Sequence, residues 1–126
     1  MKEVIRTDTA PAPFQGAPYS QAIAAGGFVF VSGQLGLEPG DTAISGGIEE
    51  QTEQVFANLK AILEEAGTAL DRLVKTTVYL QHLDDFQAMN EVYAKHVGEQ
   101  PPARATVEVA KLPSGALVEI EAVALL

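Results

Sequence analysis

The sequence predicts an α+β fold in which a mixed β-sheet carries two helices packed on one face. Two amphipathic helical patterns alternate with stretches rich in β-branched residues, in the order strand, hairpin, helix, strand, helix, strand, strand. The chain has 126 residues, of which 47% are hydrophobic and 20% charged, values typical of a globular protein. We therefore expect a single domain over residues 1–126.

The N-terminal part of the chain predicts a short strand, a loop and a hairpin. KEVIRT has the composition of a strand, and the proline-rich segment 10–18 cannot continue it. The next stretch, YSQAIAAGGFVFVSGQ, is centred on Gly26 and Gly27, whose freedom at positive φ suits a two-residue hairpin turn. The segment LGLEPGDTAISGG has no periodic pattern and is expected to be a loop.

Two helices follow from the spacing of apolar residues. In the first, apolar positions recur every three or four residues from Ile48, and Gly67 is a suitable C-cap. In the second, DDFQAMNEVYAKHVG, we expect Asp84 at the N-cap with Gln87 three residues on, and Gly98 at the end. The predicted buried stripe of this second helix consists of Phe86, Met89, Tyr93 and Val97.

Three further strands complete the predicted sheet, at 73–80, 104–109 and 117–125. The last of them, ALVEIEAVALL, has apolar side chains on both of its faces, so both faces of the sheet are expected to be covered. Because the two helices cover only one face and no other element remains, a second copy of the chain is the simplest cover for the other face. We therefore expect a homo-oligomer.

Composition and charge exclude several functions. Seventeen acidic and eight basic residues give a formal charge of −9, which opposes binding to nucleic acid and to anionic membranes. The lack of cysteine excludes disulfides and thiol nucleophiles, and His82 and His96 lie in different elements, so no metal site is expected. No signal peptide or membrane span is evident, and we expect a cytoplasmic protein.

Candidate functional residues are polar side chains in apolar surroundings, where burial is costly unless a partner satisfies them. Arg104 follows Pro101 and Pro102, which restrict the backbone before the strand, and it shares a strand face with Thr106 and Glu108. A guanidinium suits a planar carboxylate ligand. The alternative is an edge-strand arginine paired with a surface carboxylate.

Other candidates lie on the last strand and the second helix. Glu119 and Glu121 share a strand face at a spacing of about 7 Å. Glu119 is the better candidate for a buried carboxylate that orients or deprotonates water, whereas Glu121 could simply be exposed. Asn90 lies within the apolar stripe of the second helix, so we expect it to be buried and hydrogen-bonded, in either a structural or a binding role.

The hairpin provides a third group of candidates for substrate binding. Tyr19 begins it, and Ser32 and Gly33 lie near its end, so Tyr19 and Ser32 could approach each other across paired strands. The alternative is that they are only core and turn residues.

Seven segments, taken in chain order, form a specific pattern: APYSQAI, FVFVSGQ, GGIEEQTEQVFANLKAILEEAG, LVKTTVYL, DDFQAMNEVYAKHV, PPARATVEVAKLP and ALVEIEAVAL. This pattern resembles the YjgF/RidA family of reactive-intermediate deaminases over nearly the whole chain. The resemblance implies a chorismate-mutase-like protomer and a homotrimer with clefts between adjacent subunits. It also implies hydrolysis of 2-iminoacids and their enamine tautomers to 2-ketoacids and ammonia, without a cofactor.

The resemblance also implies roles for individual residues. Arg104 matches the arginine that binds the substrate carboxylate, and Glu119 matches the glutamate that places the attacking water. The other cleft positions that it implies are Tyr19, Ser32, Asn90 and the main chain at Thr106.

The chain departs from the family pattern at two positions. Thr106 stands where many relatives have cysteine, which implies that the peptide group acts there or that the side chain is not essential. Gly36 stands where proline is common, which is expected to loosen the loop beside the cleft. Two alternative functions remain. Some relatives have been described as ribonucleases or translation inhibitors, which the charge of −9 opposes, and the trimer could bind small carboxylates without catalysis.

Overall fold

The computed structural model describes residues 1–126 and has the predicted α+β architecture. Six strands form one sheet in the order β1-β2-β3-β6-β4-β5. The β4–β5 pair is parallel and the other pairs are antiparallel, which makes the sheet mixed. The strands are β1 (Glu3–Ile5), β2 (Ala22–Ala25), β3 (Phe28–Leu35), β4 (Leu73–Leu80), β5 (Ala103–Glu108) and β6 (Val118–Leu125), and the helices are α1 (Ile48–Ala66) and α2 (Phe86–Val97).

The glycines act as the sequence predicts at the hairpin and at the end of α1. Gly26 and Gly27 form the turn between β2 and β3, at φ values of 61° and 85°. The amide of Gly47, which precedes α1, donates a hydrogen bond of 2.8 Å to the carboxylate of Glu50. Gly67 ends α1 in the left-handed region at φ 90°.

Neither helix is sufficiently long and apolar to cross a bilayer.

The start of α2 differs from the prediction. Asp84 is not the N-cap, because it lies in a 3₁₀ turn over Leu83–Asp85, and the helix begins at Phe86. The amide of Leu83 donates a 2.8 Å hydrogen bond to the Glu108 carboxylate of β5, and this tertiary contact fixes the turn. Phe86 is 39% exposed rather than part of the buried stripe, and Val92 is buried instead, whereas the end of the helix at Gly98 is confirmed.

The two faces of the sheet have different surroundings. One face, the helical face, packs against the two helices. Every second residue of β6 points to this face and is buried against the apolar stripe of α1. The largest members of that stripe are Phe56, Leu59, Ile62 and Leu63. We call the opposite face the open face, and it carries Phe28, Phe30, Val107 and Leu125, which are 38–47% exposed. Both faces were expected to be covered, and within one protomer only the helical face is.

Candidate functional site

Arg104 projects from edge strand β5 on the helical face of the sheet. It lies beside Thr76 of β4, whose hydroxyl is hydrogen-bonded to the hydroxyl of Tyr93 at 2.6 Å. The guanidinium carbon of Arg104 lies 4.7 Å from the ring centre of Tyr93 and 5.5 Å from that of Phe86. The two ion pairs of the chain both involve Glu53, and no side-chain hydrogen bond uses Arg104. Within its own chain, Arg104 therefore does not form the pair with a surface carboxylate that the alternative supposed.

Two unsatisfied oxygen atoms occur near this arginine in the fold. Asn90 Oδ1 and Thr106 Oγ1 are both buried and have no hydrogen-bond partner. Asn90 therefore differs from the prediction, since it is half-buried and its carbonyl oxygen is not hydrogen-bonded. Asn90 and Arg104 line the same shallow cavity of about 390 Å³. Because buried polar atoms are normally paired, the unpaired oxygen of Asn90 beside this cavity indicates a place where a ligand could bind.

The hairpin candidates lie together on the open face. Tyr19, Ser32, Gly33 and Glu119 line a cavity of about 670 Å³. Tyr19 does not begin the hairpin as expected, because β2 starts only at Ala22, so Tyr19 and Ser32 share a cavity and do not face each other across paired strands. Their hydroxyls do not bond to each other. The Tyr19 hydroxyl accepts a 2.6 Å bond from the amide of Phe14, and the Ser32 hydroxyl donates a 2.6 Å bond to the carbonyl of Ser20.

Gly33 makes room for the carboxylate of Glu119. The β3–β6 register shifts between Val31 and Gln34, so Ser32 and Gly33 occupy a bulge, a feature often found next to active sites. A Cβ atom at position 33 would lie 2.0 Å from Glu119 Oε2. The missing side chain of Gly33 therefore determines where this carboxylate lies.

The surroundings of Glu119 on the open face raise its pKa above the usual value of a glutamate. Its pKa is raised, chiefly because burial removes water from the carboxylate and then because the charge of Glu121 is close. The Tyr79 hydroxyl donates a hydrogen bond to Glu121, and this bond, burial and the charges of Glu121 and Glu119 raise the pKa of Tyr79. A glutamate that holds its proton to a higher pH than usual is well suited to both take up and release one.

The sheet separates Arg104 from Glu119 within one chain. Arg104 of β5 lies opposite Thr76 of β4, and Thr76 lies opposite Ala122 of β6. All three side chains are on the helical face. Glu119 pairs with Tyr79, which lies on the open face. The expected site residues therefore form two groups: Arg104, Asn90 and Thr106 on the helical face, and Tyr19, Ser32, Gly33 and Glu119 on the open face. One chain does not bring the two groups together.

Several other expectations can be compared with the geometry. Gly36 packs tightly instead of loosening its loop, since a Cβ atom there would lie 2.7 Å from Gln51 Cα of α1. His96 bonds to Glu53 at 2.6 Å and stacks on Phe56 at 4.6 Å, contacts that join the two helices.

The sequence pattern missed three features of the site: the two aromatic rings against Arg104, the bonding of Tyr79 to Glu121, and the bulge at Ser32 and Gly33. The glycine in SGQ was the only local signal of the bulge.

The fold and the two polar groups define a small α+β protein of a class that binds small molecules. Residues 8–126 match the family model described as Endoribonuclease L-PSP, and the chain belongs to this family, which is also called YjgF/RidA/RutC. The predicted resemblance is confirmed.

Relatives cover almost the whole chain. A RutC family protein from Pyrococcus horikoshii is 54% identical over 125 residues, which is 98% of each chain. The human 2-iminobutanoate/2-iminopropanoate deaminase is 41% identical over 128 residues, covering 99% of this chain and 93% of the human protein.

Solved structures confirm the fold. The crystal structure of RidA from Psychrobacter has a TM-score of 0.93 and 46% identity, with 98% of this chain and 99% of that chain covered. The structure of Escherichia coli TdcF with bound serine has a TM-score of 0.90 and 35% identity, with 98% of each chain covered.

Proposed function

We propose that this protein is a homotrimeric hydrolase that deaminates 2-iminoacids and their enamine tautomers to 2-ketoacids and ammonia. The observation that carries the proposal is the guanidinium of Arg104, which is held at the sheet edge with no partner from its own chain. Relatives of this chain bear deaminase names, including the human protein, which supports the same reaction class.

The active site lies at the cleft between two subunits. Arg104 and Glu119 lie on opposite faces of one sheet, so a complete site needs Arg104 from one chain and Glu119 from its neighbour. The open face offers the surface for this association, because Phe28, Phe30 and Leu125 are large apolar side chains exposed to water. A closed ring of three chains uses the same contact three times, once for the open face of each chain.

The Arg104 side provides the binding group for the substrate. A guanidinium holds a carboxylate through two parallel hydrogen bonds, which fixes the position of the neighbouring C=N carbon. Asn90 lines the cavity beside Arg104, and its unpaired Oδ1 would accept a hydrogen bond from the substrate nitrogen once the buried oxygen turns toward the cavity. Because β5 is an edge strand, peptide groups on its outer side are also free, which allows the main chain at Thr106 to contribute.

The Glu119 side provides the proton-transfer group. Glu119 accepts a proton from a water molecule as the water oxygen bonds to the C=N carbon, and it passes this proton to the nitrogen, which gives a carbinolamine with hydroxyl and amino groups on one carbon. The hydroxyl proton then moves through Glu119 to the amino nitrogen, the C–N bond breaks as the C=O bond forms, and ammonia and the 2-ketoacid leave. Oxidation states do not change, so the reaction needs no redox cofactor. One positioned carboxylate accelerates such a step by roughly 10²- to 10⁴-fold.

A competition assay tests the proposal. Threonine dehydratase generates the imine in the presence of semicarbazide, and an active deaminase lowers the rate of semicarbazone formation. We expect Arg104→Ala to abolish this effect and Arg104→Lys to raise KM by about 10- to 100-fold, because lysine cannot form the paired hydrogen bonds. Wild-type activity in both variants would contradict the proposal. Ketoacid binding through Arg104 without any faster imine loss would instead identify a non-catalytic carboxylate-binding protein.

Ribonuclease activity is the second candidate, since the family description names an endoribonuclease. The formal charge of −9 opposes it, because a phosphate backbone binds to basic surfaces. An RNA titration at two salt concentrations separates the candidates: we expect no binding at either, and salt-sensitive binding would favour the nuclease.

A further inference from the structure

Phe86 is a large apolar residue in an exposed position. It begins α2, and 39% of its side chain is exposed although the helix has a buried apolar stripe available further along. Its ring centre lies 5.5 Å from the guanidinium carbon of Arg104. Tyr93, seven residues along the same helix, contacts that guanidinium at 4.7 Å. The arginine therefore contacts two aromatic rings of α2, one exposed and one buried.

Nothing else in the chain holds the guanidinium. Its N–H groups have no ion pair and no hydrogen bond within the chain. A free arginine side chain samples many rotamers, and a ligand would have to order it on binding. Contact with the faces of aromatic rings restricts the guanidinium plane and leaves its N–H donors available at the edge.

We propose that Phe86 is a positioning residue that, together with Tyr93, holds Arg104 in its carboxylate-binding orientation before the ligand arrives. This inference rests on the proposed function of Arg104. Tyr93 is fixed in the core by its bond to the Thr76 hydroxyl, and it therefore also supports the packing of α2. Phe86 is the exposed member of the pair, so it is the residue at which positioning can be tested without disturbing the core.

Binding measurements test the proposal. We expect Phe86→Leu to weaken binding of 2-ketobutyrate, measured by calorimetry, and to raise KM for the iminoacid, each by about three- to tenfold, with kcat unchanged. Phe86→Trp, which keeps an aromatic face, should restore both values. Leu83→Ala is the matched control, because Leu83 is 46% exposed in the turn before α2 and makes no aromatic contact with Arg104. It should behave as wild type.

An NMR measurement reports on the arginine directly. The chain has three arginines, Arg6, Arg72 and Arg104, so their Nε–H signals are readily assigned by substitution. In the free wild-type protein the Arg104 signal should be shifted by the ring currents and show a high order parameter. In Phe86→Leu it should move toward the signal of a mobile arginine and lose order, and Phe86→Trp should keep the order.

The possible failures are distinguishable. If Arg104→Ala loses ketobutyrate binding while Phe86→Leu binds as wild type and keeps Arg104 ordered, the positioning role is wrong and the proposed function stands. If Arg104→Ala binds as wild type, both are wrong. A fall in kcat together with loss of the oligomer in Phe86→Leu, measured by light scattering, would assign Phe86 to subunit contact and overturn the positioning role.

Discussion

Gly33 lies in the bulge of β3, where a methyl group would overlap the carboxylate of Glu119. Its φ angle is not in the left-handed region, so the backbone itself accepts alanine. In Gly33→Ala the new Cβ atom would lie 2.0 Å from Glu119 Oε2, whereas ordinary contact begins at 3.4 Å. The carboxylate must therefore retreat by about 1.4 Å, which the flexible end of a glutamate can do.

The expected result is a loss of activity with little loss of stability. A displacement of about 1 Å at a reacting group can lower the rate about 100-fold. Since Oε2, Cδ and Cγ, the atoms that the new methyl group would crowd, all belong to the flexible side chain of Glu119, the free energy of unfolding should change by no more than about 0.5 kcal/mol. The assays are the semicarbazide competition for kcat and urea unfolding for stability, with ketobutyrate binding by the Arg104 side retained.

Gly36→Ala is the matched control, because its clash is with the backbone. A Cβ atom there would lie 2.7 Å from Gln51 Cα, so the start of α1 must shift, at a cost of about 1–3 kcal/mol. Its kcat per folded protein should remain near the wild-type value. The reasoning about Glu119 would be refuted if Gly33→Ala kept its kcat, or if it lost as much stability as Gly36→Ala.

Three further predictions follow from the same geometry. Glu119→Gln should abolish imine hydrolysis but not ketobutyrate binding. The pKa of Glu119 is raised in the folded state. The protonated Glu119 therefore stabilises the folded protein at pH values below its unfolded-state pKa, and this stabilisation is lost as the pH rises through its folded-state pKa. Thermal unfolding at pH 7 should therefore show that Glu119→Gln is at least as stable as the wild type. A clear loss of stability in this variant would contradict the upward direction of the pKa shift. Glu121→Gln should lower the pKa of Glu119 and move the acidic limb of the kcat/KM profile to lower pH; an unmoved limb would remove Glu121 as a cause. Asn58→Ala should cost about 2–4 kcal/mol in urea unfolding, because buried Asn58 donates to the carbonyls of Leu35 and Leu37, and a neutral result would mean that water replaces these bonds.

The elements of the fold followed closely from local patterns. The stripe of α1, its end at Gly67 and the glycine turn between β2 and β3 depend on contacts close in the chain, which sequence periodicity reports directly. The start of α2 was displaced because a bond between Leu83 and Glu108, 25 residues apart, outweighed the local capping signal of Asp84.

The candidate site followed only in part. Alternation within a strand indicates which residues share a face, but it does not relate the faces of two separate strands. The opposite placement of Arg104 and Glu119 depends on the pairing of β4 with both β5 and β6, which is tertiary information. The unpaired oxygen of Asn90 and the ring contacts of Arg104 depend on how α2 packs against the sheet edge, and no local pattern specifies that.

The central claim is that each active site combines Arg104 of one subunit with Glu119 of the next. Arg104→Ala and Glu119→Gln are each expected to be inactive alone, so the decisive measurement is the activity of trimers refolded from an equal mixture of both. If the site is shared, about a quarter of the clefts receive both intact residues, and about a quarter of the wild-type activity should return. If mixed trimers remain as inactive as the separate variants, both residues act within one chain and the account is contradicted.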